Sequence, residues 1–296
     1  MKTYEKNLLD DELDEELIVG NTPFIQIGDR LYAKLETYNP SGSIKDRMGS
    51  YILSQARKSG AVRSNTTIVE ASSGNTGIAF ARLAAKYGYG CIIVMPCNMS
   101  EERKQMMRAY GARIIQVDKS DFKQAIKVRN ELVNNFGYYW SPRQFENELN
   151  IECHEKTTAK EIGYSVLNMG TRLSALVTGA GTGGTIMGCH RHLSRLWSDA
   201  KFVLVQPAEP ADSHGIQGIN DGADFLVDRS VVDEDAIVAT EDAKLRASAL
   251  AREKGLLVGI SAGANVLAAE RWIEENDPKG VVVTFLCDRG ERYLSI

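Results

Sequence analysis

Long hydrophobic runs are missing from this chain: no apolar stretch approaches the ~20 residues a membrane-spanning helix needs. Metal-site spacing is missing too. The five cysteines (Cys91, Cys97, Cys153, Cys189, Cys287) form no CxxC pair, and of the four histidines His190 and His192 stand too close for an i,i+4 pair. An odd, scattered set of thiols in a chain of 296 residues points to a reducing, cytoplasmic setting rather than a disulfide frame. No basic excess exists: 35 Lys and Arg stand against 39 Asp and Glu, so neither nucleic acid nor an anionic membrane is an expected partner. Residues 1–16 are acidic and polar, which excludes a secretory or transit peptide and suggests a partly helical lead-in. No glycine-rich loop runs into GK[ST], so there is no P-loop, and no repeat or low-complexity tract appears.

What is present is a regular alternation. Hydrophobic content of 43% and charged content of 25% belong to a globular protein long enough for two domains. Residues 31–36 alternate like a strand. After Lys45, Met48, Tyr51, Ile52 and Ala56 share one helical face, and Gly60 is placed to end that helix. Strands follow at 67–71, 91–96 and 113–117, with helices at 76–87, 100–110 and 121–136. Ser100 reads as an N-cap ahead of Glu101 and Glu102. The aromatic segment 138–150 interrupts the rhythm and reads as a domain boundary. Beyond it we expect one helix over 151–167, then strands at 174–178 and 201–206 around a helix at 186–196. An irregular stretch at 207–228, a short extended segment at 236–240, helices at 241–254 and 264–276 and a strand at 280–287 complete the chain. Continuous apolar strands between helices mean parallel sheets covered on both faces, with ligands outside the carboxyl ends of the strands.

Four stretches could carry chemistry. Asn39-Pro40-Ser41-Gly42-Ser43-Ile44-Lys45 is rigid turn chemistry running into a helix, a setting that can aim a lysine amine inward. Gly179-Ala180-Gly181-Thr182-Gly183-Gly184-Thr185 lies between a strand and a helix, where bare N–H groups and the helix N-terminus attract phosphate. Its two threonine hydroxyls suit a single phosphate monoester. Ser72-Ser73-Gly74-Asn75-Thr76-Gly77 offers N–H groups, hydroxyls and an amide to a carboxylate or ring oxygen, and the loop 259–264 repeats that style. Cys287 ends the last strand and is most simply a buried small hydrophobe.

An aimed lysine, a monophosphate cradle and polar loops for an amino-acid carboxylate together resemble the fold-type II pyridoxal-phosphate enzymes, and among them the cysteine synthase family. The motifs NPSGSIKDR, SSGNTG, GTGGT, GIQGI and GISAGA match in order across nearly the whole chain. CDRGERYL resembles the B type, whereas residues 212–219 resemble the A type. The resemblance implies an α/β fold of the tryptophan synthase β kind: two three-layer domains with mostly parallel sheets and the active site in the cleft between them. The smaller domain would span 37–145 and the larger, phosphate-binding one 1–36 plus 146–296.

It further implies that Lys45 carries pyridoxal 5'-phosphate as a Schiff base and moves the substrate's Cα proton. Gly181, Thr182, Gly183, Gly184 and Thr185 would hold the phosphate and Asn75 the ring oxygen. Cys287 would be a neutral neighbour of the pyridine nitrogen. Ser72, Ser73, Gly74 and Thr76, with Gln144 and Gly218, would bind substrate. Ser72 stands where the family usually has threonine, and Asn220-Asp221 where B-type enzymes often carry arginines, which disfavours phosphoserine. The implied reaction joins an O-activated serine such as O-acetylserine to sulfide or thiosulfate, in a cytoplasmic homodimer to which serine acetyltransferase could bind. The alternatives are another β-replacement enzyme of the diaminopropionate synthase kind, a serine or threonine dehydratase, and a cofactor-binding partner protein with little turnover.

Overall fold

A computed structural model describes residues 18–118, 121–210, 213–220 and 224–295, so the expected lead-in over 1–16 lies outside the described residues. Its strands are β1 (Phe24–Gln26), β2 (Leu31–Leu35), β3 (Thr67–Ala71), β4 (Gly90–Pro96), β5 (Arg113–Val117), β6 (Tyr139–Trp140), β7 (Leu173–Gly179), β8 (Lys201–Pro207), β9 (Glu234–Val238) and β10 (Val281–Leu286). The helices are α1 (Lys45–Lys58), α2 (Asn75–Tyr87), α3 (Glu101–Ala109), α4 (Phe122–Asn135), α5 (Glu148–Lys156), α6 (Thr158–Asn168), α7 (Gly184–Leu196), α8 (Thr240–Lys254) and α9 (Ile260–Asn276).

Two sheets result, with strand orders β1-β2-β10-β7-β8-β9 and β5-β4-β3-β6. Among the described residues every pairing between these strands is parallel except that of β1 with β2. The period of two along each strand divides side chains between two covered faces. In the larger sheet Val282 and Leu286 pack with Ala243, Leu250 and Val266 of α8 and α9, whereas Val281, Val283 and Phe285 pack with Ile162, Val166 and Leu193 of α6 and α7. In the smaller sheet Ile68, Ile93 and Met95 meet Met48, Ile52 and Ile78 of α1 and α2, whereas Val69, Val94 and Ala71 meet Ala125 of α4. The expected fold class is therefore the observed one. Among the described residues no helix is long and apolar enough to cross a membrane.

The differences have local causes. The single helix expected over 151–167 is two helices, broken at Thr157 (φ −118°, ψ −76°), whose hydroxyl donates to the Cys153 carbonyl at 2.8 Å. Such back-bonding to the i−4 carbonyl bends helices. α7 also presses against α5 there, since a Cβ on Gly188 would lie 2.4 Å from the Ile151 carbonyl oxygen. Ser100 occupies the N-cap position but makes no cap bond; its hydroxyl donates instead to the Arg292 carbonyl at 2.9 Å. The loop expected over 259–264 is the first turn of α9, entered from Gly259. β1 and β6, three and two residues long, escaped the pattern.

Candidate active site

The lysine turn is fixed from both sides. Ser41 donates from its N–H and its hydroxyl to Asp46 Oδ2, each at 2.8 Å. Ile44 N–H donates to the Cys287 carbonyl at 2.9 Å, Arg289 N–H to the Gly42 carbonyl at 3.2 Å, and the Arg292 guanidinium to the Ser41 carbonyl. Gly42 is needed here, because φ is +81° and a Cβ would lie 2.9 Å from Arg289 Cδ. The segment following β10 thus clasps the turn that presents Lys45 as the first residue of α1. Beneath it lies a buried ion network. Arg47 donates to Glu36 at 2.7 Å and to Glu161 at 2.6 Å, and Lys34 donates to Glu161 at 2.6 Å. Burial alone would raise the Glu161 carboxyl, but Arg47 and Lys34 outweigh it and hold the pKa at about 2.

The glycine-rich loop joins β7 to α7. Gly183 has φ +93°, and a Cβ on Gly184 would meet the Asn150 amide oxygen at 2.1 Å. Asn150 in turn donates to Thr182 Oγ1 at 2.9 Å. Thr185 Oγ1 lies 3.3 Å from Nε2 of His154, whose other nitrogen is 2.8 Å from Thr158 Oγ1. Burial, then the charges of Arg47 and Lys45, holds the His154 pKa well below its ordinary value, so the imidazole under this loop is neutral.

From the smaller sheet, Ser72 Oγ accepts the N–H of Gly74 at 3.1 Å and of Gly77 at 2.9 Å, closing the loop after β3. Thr76 donates to Gln144 Oε1 at 2.6 Å, and Gln144 donates to the Ala71 carbonyl at 2.7 Å. Asn75 Nδ2 donates to Asp288 Oδ2 at 2.7 Å, the oxygen that also accepts the Tyr293 hydroxyl at 2.6 Å. That leaves Asn75 a second amide hydrogen and a buried Oδ1 without a partner. Burial, then the charge of Asp288, pushes the Cys287 thiol up to about 12, so it stays neutral.

One cavity collects Lys45, Ser73, Asn75, Thr76, Gln144, Gly181, Thr182, Gly183, Thr185, Gly218 and Cys287. Ser72, Gly74 and Gly184 do not line it and act as its frame. The sequence reading missed four polar contributors: Arg103, Thr178, Gln217 and Asn265. Asn265 accepts the Gly179 N–H at 2.8 Å and donates to the Phe285 carbonyl at 3.1 Å, tying the ends of β7 and β10 together. A lone amide inside the apolar run Ala262 to Ala269 was its available signal.

Gly179, Gly181 and Gly184 also fit the GxGxxG spacing, so glycine count alone does not separate a monophosphate from a dinucleotide. Yet the acid nearest the end of β8, Glu209, is taken by the Thr240 N–H and hydroxyl at 2.9 and 3.0 Å, and so does not stand ready for a dinucleotide's ribose. The donor set fits pyridoxal phosphate: an amine on a rigid turn, an anion cradle at a helix N-terminus, a spare amide hydrogen and a neutral thiol. The chain belongs to the pyridoxal-phosphate-dependent enzyme family, whose model matches residues 16–288, and its cofactor is pyridoxal 5'-phosphate.

Within that family its similarity is to cysteine synthases. A probable cysteine synthase of Bacillus subtilis is 37% identical, over 94% of both chains. A hydrogen sulfide-producing enzyme from Fusobacterium nucleatum superposes with TM-score 0.90 at 35% identity, over 97% of this chain and 91% of that one. An O-acetylserine-dependent cystathionine β-synthase from Helicobacter pylori gives TM-score 0.87 at 35% identity, over 95% and 97%.

Proposed function

We propose that the protein makes L-cysteine by β-replacement, exchanging the acetoxy group of O-acetyl-L-serine for sulfide, with thiosulfate as the alternative sulfur donor. The observation that carries this reading is the convergence, in one cavity, of Lys45, the Gly181–Thr185 cradle and the Ser73–Thr76 loop with Gln144. Lys45 would hold the cofactor, and its amine would take the proton from the substrate Cα. The N–H groups of residues 181–185 at the α7 N-terminus hold the phosphate, with Gly184 supplying close approach. The free amide hydrogen of Asn75 binds the ring oxygen. Ser73 and the Thr76 N–H bind the substrate carboxylate on the loop that Ser72 and Gly74 frame, Gln144 holds the Thr76 hydroxyl, and Gly218 lines the entrance. Pyridoxal phosphate supplies the electron sink. The neutral Cys287 thiol would stand beside the pyridine nitrogen without a charge to hold a proton there, a setting that suits β-elimination better than transamination. The working form is a homodimer in the cytoplasm, divided into residues 37–145 and 1–36 plus 146–296.

The test is spectral and kinetic. Purified protein should be yellow, change its absorbance on adding O-acetylserine and release cysteine on adding sulfide. Lys45→Ala should abolish turnover. No response to O-acetylserine, with turnover of phosphoserine or free serine, would replace this reading by one of its rivals. Homocysteine should be run as a second acceptor because of the likeness to the H. pylori enzyme.

A further inference from the structure

We propose that Arg103 reads the carboxylate of the amino-acid substrate from beneath the Ser72–Asn75 loop, an inference that rests on the amino-acid site proposed above. Arg103 sits in the first turn of α3 beside three other charged residues. Its neighbours are occupied: Glu101 pairs with Arg108 at 2.7 Å, Glu102 accepts from Ser295 at 2.8 Å, and Lys104 donates to the Cys97 carbonyl at 2.8 Å. Arg103 and Lys104 are both buried, at 2% and 7% exposure, but only Lys104 has a hydrogen-bond partner among the described residues. Its guanidinium carbon lies 4.4 Å from the centre of the Tyr293 ring, and it lines the cavity with Ser73, Thr76 and Gln144.

Two features point to an anion. Nε and Nη1 of Arg103 are buried without a hydrogen-bond partner. Among the described residues no salt bridge joins it to Asp288, whose Oδ2 accepts from Asn75 and Tyr293 and whose buried Oδ1 lies against Gly259 without a partner. A desolvated guanidinium lacking a counter-ion is costly to the fold, and an arriving carboxylate matches its planar fork. The second feature is Gly74. A Cβ there would stand 2.3 Å from Arg103 Cδ and 2.7 Å from Nε, so the absent side chain is what lets the guanidinium lie against the loop. The Tyr293 ring face holds the guanidinium plane in place. The loop N–H groups supply direction, and Arg103 supplies charge.

The test titrates the cofactor-loaded protein with L-serine and with L-serinamide, which lacks the carboxylate, reading the cofactor absorbance. Arg103→Gln should weaken L-serine binding on the order of tenfold to a hundredfold and leave serinamide unchanged. Arg103→Lys, which keeps the charge but not the fork, should lose less for L-serine and again nothing for serinamide. It decides the matter if Arg103→Gln does not fold. Equal losses for both ligands, or none for either, would mean that Arg103 is only packing and would overturn the proposal. A parent protein that responds to neither L-serine nor O-acetyl-L-serine would instead overturn the proposed function, and this inference with it.

Discussion

Glu161 shares its carboxylate between Arg47 and Lys34, and that pairing holds its pKa at about 2 despite burial. A carboxyl depressed in this way contributes stability that is complete above its ordinary value near 4.5 and is lost as pH falls from there through about 2. The contribution is roughly 3 kcal/mol. Urea unfolding of the parent and of Glu161→Gln should therefore differ most above about pH 5 and converge towards about pH 2. A gap that does not depend on pH would mean the carboxylate is not ionised in the fold. Gly74 yields a second residue-scale expectation. Gly74→Ala should raise KM for the amino acid by about tenfold or more through displacing Arg103, with a smaller change in kcat. That Lys45 and the loop 179–185 share a cavity was legible only from the motifs taken together, because a lysine opening a helix is by itself most often solvated. Arg103 was not, because Glu101-Glu102-Arg103-Lys104 reads as a solvated helix start and only packing shows that its two basic members are buried.

Among the elements, α7 closes the end of the cavity where we place the cofactor's phosphate, and the turn into it depends on Gly183. A Cβ there would stand 2.6 Å from Val227 Cγ2 and 2.8 Å from the Val227 backbone nitrogen, at a φ of +93°. Backbone cannot step aside as a side-chain tip can. Gly183→Ala should therefore weaken pyridoxal phosphate retention at least tenfold, read as the dissociation constant after dialysis, while the secondary-structure spectrum stays close to the parent's. Retention equal to the parent's would remove this turn from the cradle. Long elements with caps or glycine stops were readable within a few residues, as α1, α2 and α8 demonstrate. The break at Thr157 was not, because no glycine or proline marks it and the bend comes from a threonine hydroxyl and the pressure of Gly188. Nor were β1 and β6, too short to show a period and formed only because β2 and β3 offer them an edge.

At the scale of the molecule, α1 connects the two sheets. Its apolar face (Met48, Ile52, Leu53) belongs to the smaller sheet's core, yet its Arg47 is bonded to Glu36, just after β2, and to Glu161 of α6, both on the larger sheet's side. Strand order explains why sequence periodicity could not reveal this: β2 lies beside β10, from the far end of the chain, and no local pattern records such a neighbour. Because Arg47 is two residues from Lys45, the same buried pair that joins the halves also sets where the lysine emerges. Arg47→Met keeps the stem's packing but leaves Glu36 and Glu161 without their main cation, so it should cost about 3–5 kcal/mol of global stability. Adding Glu161→Gln to Arg47→Met should recover part of that loss, because the uncompensated charge disappears. The coupling in a double-mutant cycle followed by urea unfolding should be about 1–3 kcal/mol. Simple additivity of the two substitutions would mean that Arg47 acts through packing alone, and that the lysine turn owes its position to the clasp of residues 287–292 instead.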